Sequence, residues 1–161
     1  MKLDRVLEKL LIAFFSKLKI RPAEKRLESL IQFIKFCMVG VTNTAISYVI
    51  NVAVLFVLAP FHFKWDYVVG NLIAFFLSVL WSFYWNNKYV FKEKEGQSRS
   101  LWKTLLKTYL SYAFTGIFLA NILSYLWIEV IGVSKYFAPV LNLVISVPVN
   151  YLINKKWAFN A

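Results

Sequence analysis

Charged side chains are missing from four long stretches of this chain, which cover residues 36–63, 67–87, 108–128 and 136–154. A helix needs about 20 mostly apolar residues to cross the hydrocarbon core of a bilayer. The chain has only 161 residues, of which 60% are hydrophobic, so the four stretches leave too little sequence for a water-soluble core. They predict an all-α membrane protein with four transmembrane helices. The predicted helices cover residues 36–58, 67–85, 109–131 and 136–153.

Cysteine, histidine and acidic residues are also scarce. The single cysteine, Cys37, excludes an internal disulfide and is either a small apolar residue or a lipidation or redox site. The single histidine, His62, has no partners for metal or triad chemistry, and the sequence contains no phosphate-binding loop, paired catalytic carboxylates or nucleophile elbow. These absences argue against a conventional enzyme and predict no cofactor and no metal. No acidic residue lies in the middle of a predicted helix, which argues against a proton-coupled exporter.

The basic residues have a strongly one-sided distribution. All but two of the 19 Lys and Arg residues lie in residues 1–35, in the loop at 86–108 or in the C-terminal tail. The positive-inside rule then places both termini and the middle loop in the cytoplasm. The net charge of +11 is therefore interpreted as a topology signal, and no nucleic-acid partner is predicted.

The first 20 residues have helical periodicity, with a stripe of leucines and phenylalanines opposite several charged residues. This pattern predicts an amphipathic interfacial helix that either lies on anionic membrane lipids or docks a partner protein. Pro22 ends it, and a second amphipathic stretch, 23–35, leads into the first predicted span. We therefore divide the chain into an amphipathic cytoplasmic-face segment, 1–32, and a transmembrane domain, 33–161.

A six-residue motif occurs twice, as NNKYVF at 86–91 and as NKKWAF at 154–159, an offset of 68 residues. Each copy follows the second helix of a predicted pair, so the sequence predicts two related hairpins with the same orientation, a parallel repeat. Both motifs then lie at the cytoplasmic interface, where their lysines and asparagines could converge on one phosphate. Two simpler explanations stay open. Lysines and aromatic residues beside a span also fix topology, and an asparagine there also serves as a helix cap.

Polar residues inside the predicted spans are costly in hydrocarbon unless they are paired, so they should face other helices or a wet cavity. Asn43, Asn71 and Asn142 are either interhelical hydrogen-bonding groups or part of a functional site. Asn43, about two turns from the cytoplasmic side, is the strongest candidate for a functional group. Gly40 and Gly70 are expected to permit close helix approach.

These motifs together resemble the GtrA-like family over about residues 33–160. The family pattern starts with F-x-x-VG-x-x-x-T, closes the second helix with S-F-x-x-N-[RK]-x-[WY]-x-F and repeats a shorter version after the fourth helix. Tyr89 stands where Trp is commoner in the family. The matching residues are Phe36, Val39, Gly40, Thr44, Ser82, Phe83, Asn86, Asn87, Lys88, Tyr89, Phe91, Asn154, Lys156, Trp157 and Phe159.

The resemblance implies a multi-pass protein of the bacterial inner membrane that acts in cell-surface polysaccharide glycosylation. Members of the family are thought to flip a polyprenyl-phosphate-linked monosaccharide, such as undecaprenyl-phosphate glucose, to the outer leaflet. Membrane glycosyltransferases make and consume that lipid, and some relatives are proposed to recruit such enzymes. The small size of the bundle also allows a homo-oligomer.

On this interpretation the substrate-binding residues form two groups. The lipid phosphate is received at the cytoplasmic face, and hydrogen bonds to the sugar or phosphate are offered deeper in the bundle by Asn43, Asn71 and Asn142. The residues of the first group are Asn86, Asn87, Lys88, Asn154, Lys155 and Lys156. Two alternatives are a non-transporting membrane anchor that docks a glycosyltransferase through 1–32 and 92–107, and a small cation exporter.

Overall fold

The structure is a computed structural model that describes residues 2–20, 22–62, 64–93, 98–134 and 137–160. Every regular element in these residues is helical, as predicted. Arg21, Lys94 and Lys135, which belong to the distribution of basic residues described above, lie outside the described residues.

The described residues form six α-helices, and short helical turns of other types extend them. A 3₁₀ turn (Ala59–Phe61) follows α2, and π-helical turns follow α3, α4, α5 and α6. The third long helix, Leu101–Val130, is continuous and comprises α4, α5 and their two π turns. The α-helices are α1 (Lys2–Lys17), α2 (Glu24–Leu58), α3 (Asp66–Trp85), α4 (Leu101–Ala113), α5 (Ala120–Tyr125) and α6 (Ala138–Ile153). The π turns are Asn86–Val90, Phe114–Leu119, Leu126–Val130 and Asn154–Ala158.

Local sequence signals explain where several helices begin and end. Pro22 separates α1 from α2, whose N-cap, Ala23, is extended. Ser100 starts α4, because its side-chain oxygen accepts a hydrogen bond from the backbone N–H of Lys103. Gly132 ends the third long helix with a φ of +80°, a conformation that glycine adopts at little cost.

The helices pack so that both sequence motifs lie at one end of the bundle. α2 packs along α3, α4 contacts α3 and the π turn after α6, and α5 packs on α6. α1 lies on α2, and the π turn after α3 also contacts α2. We call the region where α1, the start of α2 and the π turns Asn86–Val90 and Asn154–Ala158 meet the lysine-rich end.

The described part of the bundle buries many small polar side chains and exposes many large apolar ones. Fully buried side chains include Ser82, Thr108 and Ser111, whereas Phe56 is 83% exposed and Val41 is 71% exposed. Such a distribution suits hydrocarbon as the solvent, since small polar residues let helices approach closely and find partners away from lipid.

Three helices of the described chain are long and apolar enough to cross a membrane: Glu24–Phe61, Asp66–Val90 and Leu101–Val130. The predicted fourth span corresponds to α6, which is not among these three. α6 has 16 residues, fewer than the roughly 20 that a helix needs to cross the hydrocarbon core. The four-span count therefore stays a prediction.

α2 contains two stretches of the predicted pattern. The sequence predicts an amphipathic stretch at 23–35 that leads into a span at 36–58, and the structure has both in a single helix of 35 residues. No helix-breaking residue lies between the two stretches, so helical hydrogen bonding continues through them. The proposed division of the chain at residue 32 therefore falls inside a continuous helix.

Candidate functional site

The two sequence motifs have the same local structure at the lysine-rich end. Both open with an asparagine that begins a π turn of five residues. In each turn the backbone oxygen of that asparagine accepts a 2.8 Å hydrogen bond from the N–H of the final phenylalanine, Phe91 or Phe159. The 68-residue repeat in sequence is thus also a repeat of backbone geometry.

The motifs meet through their final aromatic rings. The rings of Phe91 and Phe159 stack with centroids 4.7 Å apart. The ring of Tyr151 also stacks against Phe91, with centroids 5.9 Å apart. Phe36 of α2 packs against both Phe91 and Tyr151. This aromatic cluster joins α2, α6 and both π turns.

Arg99, from the segment before α4, links the two motifs. Its guanidinium donates hydrogen bonds to the backbone oxygen of Phe159 (2.8 Å), to Asn87 Oδ1 (2.7 Å) and to the backbone oxygen of Phe91. It also lies over the Phe159 ring, 5.0 Å from the centroid. Burial lowers the pKa of Arg99, although Glu93 opposes this shift, and an arginine stays charged at neutral pH. Asn87 therefore positions Arg99 in this conformation.

Asn86 and Asn154 are fully buried. Asn86 Nδ2 donates to Ser82 Oγ at 3.1 Å, and Asn154 Nδ2 donates to Ser111 Oγ at 2.9 Å and to Asn150. Both amides therefore connect side chains inside the bundle, and a role in substrate binding would require the turns to open. The Oδ1 atoms of both residues have no hydrogen-bond partner within the described residues.

The three motif lysines have different surroundings. Lys88 is exposed and donates to Tyr84 Oη at 3.1 Å. Lys155 is partly buried and donates to Tyr151 Oη (3.1 Å) and Ser29 Oγ (3.3 Å). Lys156 is exposed. Only Lys155 lines a cavity shared with the first motif.

That cavity, the lysine basin, lies at the lysine-rich end and has a volume of about 630 Å³. Three lysines line it, namely Lys35 of α2, Lys92 after the first motif and Lys155 of the second motif. Lys35 Nζ donates to Asp4 Oδ1 of α1 at 2.8 Å, and its side chain is only 13% exposed. This ion pair holds the pKa of Asp4 below its ordinary 3.8. Basic side chains from three separate parts of the chain therefore meet around one cavity.

A second cavity, the polar groove, lies deeper, between α2, α3 and α4. It has a volume of about 440 Å³, within the range of small-molecule sites. Asn43 and Asn71 line it, as do Asn51 and Ser78. Asn51 Nδ2 donates to Asn71 Oδ1 at 2.8 Å, and Asn43 Oδ1 is buried without a partner among the described residues. The groove thus presents hydrogen-bonding groups at a depth where hydrocarbon would otherwise surround them.

Asn142 lies away from this groove. It is buried between α5 and α6, where its Nδ2 donates to Ser124 Oγ (2.7 Å) and to the backbone oxygen of Ala120 (3.1 Å). These bonds are the interhelical contacts that the sequence left open as an alternative.

Sequence reasoning did not select several residues that the structure brings to these sites. Ser47 and Asn51 follow the predicted Asn43 at four-residue intervals, which place all three on one face of a helix, so the spacing could have indicated them. Arg99 and Lys92 lie in an irregular segment, and only tertiary structure shows their role.

Comparison with known proteins adds a further observation. The sequence pattern of the family described as GtrA/DPMS, transmembrane domain, matches residues 35–159. The cell wall teichoic acid glycosylation protein GtcA of Listeria monocytogenes is 29% identical over 105 residues, which cover 63% of this chain and 70% of that protein. No solved structure matches significantly. The family match includes both motifs and the groove residues and leaves α1 outside.

Proposed function

Because this chain belongs to the GtrA/DPMS transmembrane-domain family, as its motifs predicted, we propose that it moves a polyprenyl-phosphate-linked monosaccharide across a bacterial plasma membrane. The sugar lipid passes from the cytoplasmic to the outer leaflet and is used there to glycosylate a cell-surface polymer. The similarity to a teichoic acid glycosylation protein supports this role.

The polar groove is the observation that carries the proposal. A sugar and its phosphate must cross hydrocarbon while the polyprenyl tail stays in lipid, so the protein must offer polar groups along that path. The groove has amides and hydroxyls on α2 and α3, including Asn43, Asn71 and Ser78. Amides donate and accept hydrogen bonds and suit sugar hydroxyls.

In the proposed topology both termini and the lysine-rich end are cytoplasmic, and α6 is the fourth span. α2–α3 and the third long helix with α6 form two hairpins in parallel orientation. The protein has no catalytic role, and movement of the lipid follows the gradient set by its consumption outside.

The proposed binding residues take part at two stages. Lys88, Lys155 and Lys156 attract the phosphate at the cytoplasmic face, and Asn43 and Asn71 bind the sugar in the groove. Asn86, Asn87, Asn154 and Asn142 have internal partners in this conformation. They contribute to binding only if the bundle rearranges during transport.

The test is a transport assay in liposomes with a labelled polyprenyl-phosphate glucose. Asn43→Leu should lower the initial rate about tenfold, since losing one hydrogen bond to a bound polar group costs about 1.4 kcal/mol. Asn121→Leu is the matched control, because Asn121 lies on the third long helix and donates to the backbone oxygen of Ile117, outside the groove. Equal rates for the two variants, or no transport by the wild-type protein, would contradict the proposal.

An alternative is a membrane anchor that recruits a glycosyltransferase. The apolar side chains of α1 favour it, because Leu10 is 62% exposed and Phe14 is 57% exposed. An anchor would transport nothing in liposomes but would co-purify with a glycosyltransferase, and Leu10→Asp with Phe14→Asp would abolish that association.

A further inference from the structure

The lysine basin adjoins a small apolar cavity, and the two share part of their walls. The apolar cavity has a volume of about 280 Å³, with Met38, Trp81 and Trp85 among its lining residues. Lys35, Tyr89 and Val90 line both cavities. A polar, lysine-lined space and an apolar space meet at Lys35. Together they are complementary to a phosphate group attached to a hydrocarbon chain.

Two consecutive residues of α1 match the two cavities. Asp4 forms the ion pair with Lys35 in the lysine basin, and Leu3 lines the apolar cavity. The carboxylate of Asp4 stands where a phosphate oxygen would stand, and Leu3 stands where the start of a lipid tail would pass. α1 therefore covers this place with an acidic group and an apolar group of its own.

The charges of the basin depend on α1. The bundle supplies three lysines and two glutamates, Glu24 and Glu28, whereas α1 supplies Asp4 and Glu8. With α1 docked, the acidic groups outnumber the basic groups. When α1 moves away, the remaining lining is net positive and attracts a lipid phosphate at headgroup depth.

α1 also has a second favourable location. Several of its apolar side chains are exposed in the structure, such as Leu10 and Phe14. An amphipathic helix with such a face binds the bilayer interface. Releasing Asp4 from Lys35 therefore need not expose α1 to water.

We propose that the lysine basin and the adjoining apolar cavity form one binding site for a lipid phosphate, and that α1 occupies this site through Asp4 and Leu3 when no lipid is bound. Lys35 and Lys155 hold the phosphate, and Gln32 fixes the floor of the site. Gln32 Nε2 donates to the backbone oxygen of Val90 (3.0 Å), and its Oε1 accepts from Tyr151 Oη (3.0 Å). This inference rests on the proposed function only for the identity of the lipid. The site itself selects for a phosphate next to a hydrocarbon chain.

The binding test uses the full-length protein in nanodiscs of phosphatidylcholine, with polyprenyl phosphate or phosphatidylglycerol added, and native mass spectrometry to count retained lipids. Lys35→Gln and Lys155→Gln should each weaken retention at least about tenfold, the effect of losing a charge-assisted hydrogen bond. Lys103→Gln is the control, since Lys103 is exposed at the start of α4 and does not line the basin. Retention that is equal in Lys35→Gln, Lys155→Gln and Lys103→Gln overturns the site.

The competition by α1 has its own variant. Asp4→Asn removes the internal acid and leaves every lysine in place, so retention should tighten about fivefold, the effect of losing a partly exposed ion pair. Unchanged or weaker retention in Asp4→Asn overturns the competition. Its circular dichroism spectrum checks that the helices are intact, and Asp4→Asn with Glu8→Gln repeats the test with both α1 acids removed.

Movement of α1 is measured by cross-linking. In a Cys37→Ala background, Leu3→Cys and Met38→Cys place thiols on the walls of one cavity, and a short thiol-specific reagent joins them when α1 is docked. Polyprenyl phosphate or phosphatidylglycerol should lower the yield, and phosphatidylcholine alone should not. A yield that neither anionic lipid lowers overturns the displacement, and a lower yield with inorganic phosphate alone overturns the assignment to a lipid.

Comparing polyprenyl phosphate with phosphatidylglycerol in these measurements separates this inference from the proposed function. Retention of polyprenyl phosphate without transport in liposomes would support the site and contradict the transport role. Preferential retention of phosphatidylglycerol would support a lipid-phosphate site and contradict its use by the transported lipid.

Discussion

The rings of Phe91 and Phe159 stack with centroids 4.7 Å apart, although 68 residues separate them in the sequence. Each ring ends one copy of the repeated motif, and each is about 95% buried. The contact connects the end of the helix pair α2–α3 with the end of α6. The repeated motifs are therefore part of the packing core of the lysine-rich end, whatever further role their lysines have.

Replacing either ring should destabilise the bundle by a similar amount. Phe91→Ala or Phe159→Ala is expected to lower the free energy of unfolding by about 3 kcal/mol, the usual effect of removing a buried aromatic ring. Unfolding in detergent micelles by added dodecyl sulfate measures this. Phe56→Ala is the control, because Phe56 is 83% exposed, and an equal loss in that variant would show that the aromatic cluster has no special part in stability.

Arg99 should not be replaceable by lysine. Arg99→Lys keeps the charge but cannot donate at once to Asn87, Phe91 and Phe159, because a lysine has no planar donor fork. The expected loss in unfolding free energy is about 2 kcal/mol, and trypsin should cleave the segment before α4 faster. Lys103→Arg, a conservative change at an exposed site, provides the comparison. Wild-type stability in Arg99→Lys would contradict the role of Arg99 as a link between the motifs.

Asn154 offers a way to separate a structural role from substrate binding. Asn154→Ala removes its hydrogen bonds to Ser111 and Asn150, which keep their bond to each other, and the loss of two bonds should cost about 1–3 kcal/mol of stability. Asn160→Ala, at an exposed position, should cost nothing measurable. If Asn154→Ala keeps wild-type stability and loses transport, the residue acts on substrate and the structural account is wrong.

Gly70 and Gly116 make a matched pair for helix packing. A Cβ atom at Gly70 would lie 3.1 Å from Asn51 Nδ2, whereas at Gly116 it would meet nothing within 4 Å. Gly70→Ala should displace Asn51 from Asn71, lower stability by about 1–3 kcal/mol and slow transport through the groove. Gly116→Ala should leave transport unchanged and should keep or raise stability, by up to about 1 kcal/mol, because alanine favours a helix more than glycine does. A harmless Gly70→Ala would indicate that α2 and α3 separate easily at the groove.

The docking of α1 should weaken at acid pH. The pKa of Asp4 is lowered in the folded state by its hydrogen bond to Lys35, so the ion pair contributes stability above pH 3.8 and loses it as the pH falls through the lower folded value. The docked fraction of α1, measured as the distance between spin labels attached beforehand at Leu3→Cys and Met38→Cys, should be constant from pH 7 to pH 5 and fall below about pH 3.8.

Other charged groups line the same basin, so the Asp4→Asn variant isolates the contribution of Asp4. In that variant the step below about pH 3.8 should be smaller. An identical step would assign the effect to other groups. The charged residues of the basin are Asp4, Glu8, Glu24, Glu28, Lys35, Lys92 and Lys155.

Sequence patterns predicted the helices well, because charge-free runs and amphipathic periodicity are local properties. They also predicted that Gly70 would permit close helix approach, which the contact with Asn51 confirms, but the same expectation for Gly40 was wrong, since no atom lies within 4 Å of a Cβ there. Which face of a helix meets a neighbour depends on tertiary packing. A lone small residue does not reveal it.

The candidate site was harder to predict for the same reason. The motif asparagines were recognised from their recurrence, but only the fold shows that Asn154 bonds Ser111 on α4, whereas Ser82, the partner of Asn86, lies one turn earlier in the same helix. In the sequence Lys35 is one of many lysines that set the topology, and only the structure shows its ion pair with Asp4 of α1. The sequence marks the polar residues, and the fold decides which of them pair internally and which face a cavity.

The 35 residues of α2 span about 52 Å at the rise of an α-helix, well beyond the roughly 30 Å of hydrocarbon. Lys35, which contacts the docked α1, lies about a third of the way along α2, and Asn43 and Asn51 lie further on, in its second half. Since no proline kinks α2, a tilt of its part beside the lysine basin also tilts its part beside the polar groove. A lipid that binds in the lysine basin would therefore change the shape of the polar groove through the movement of this one helix.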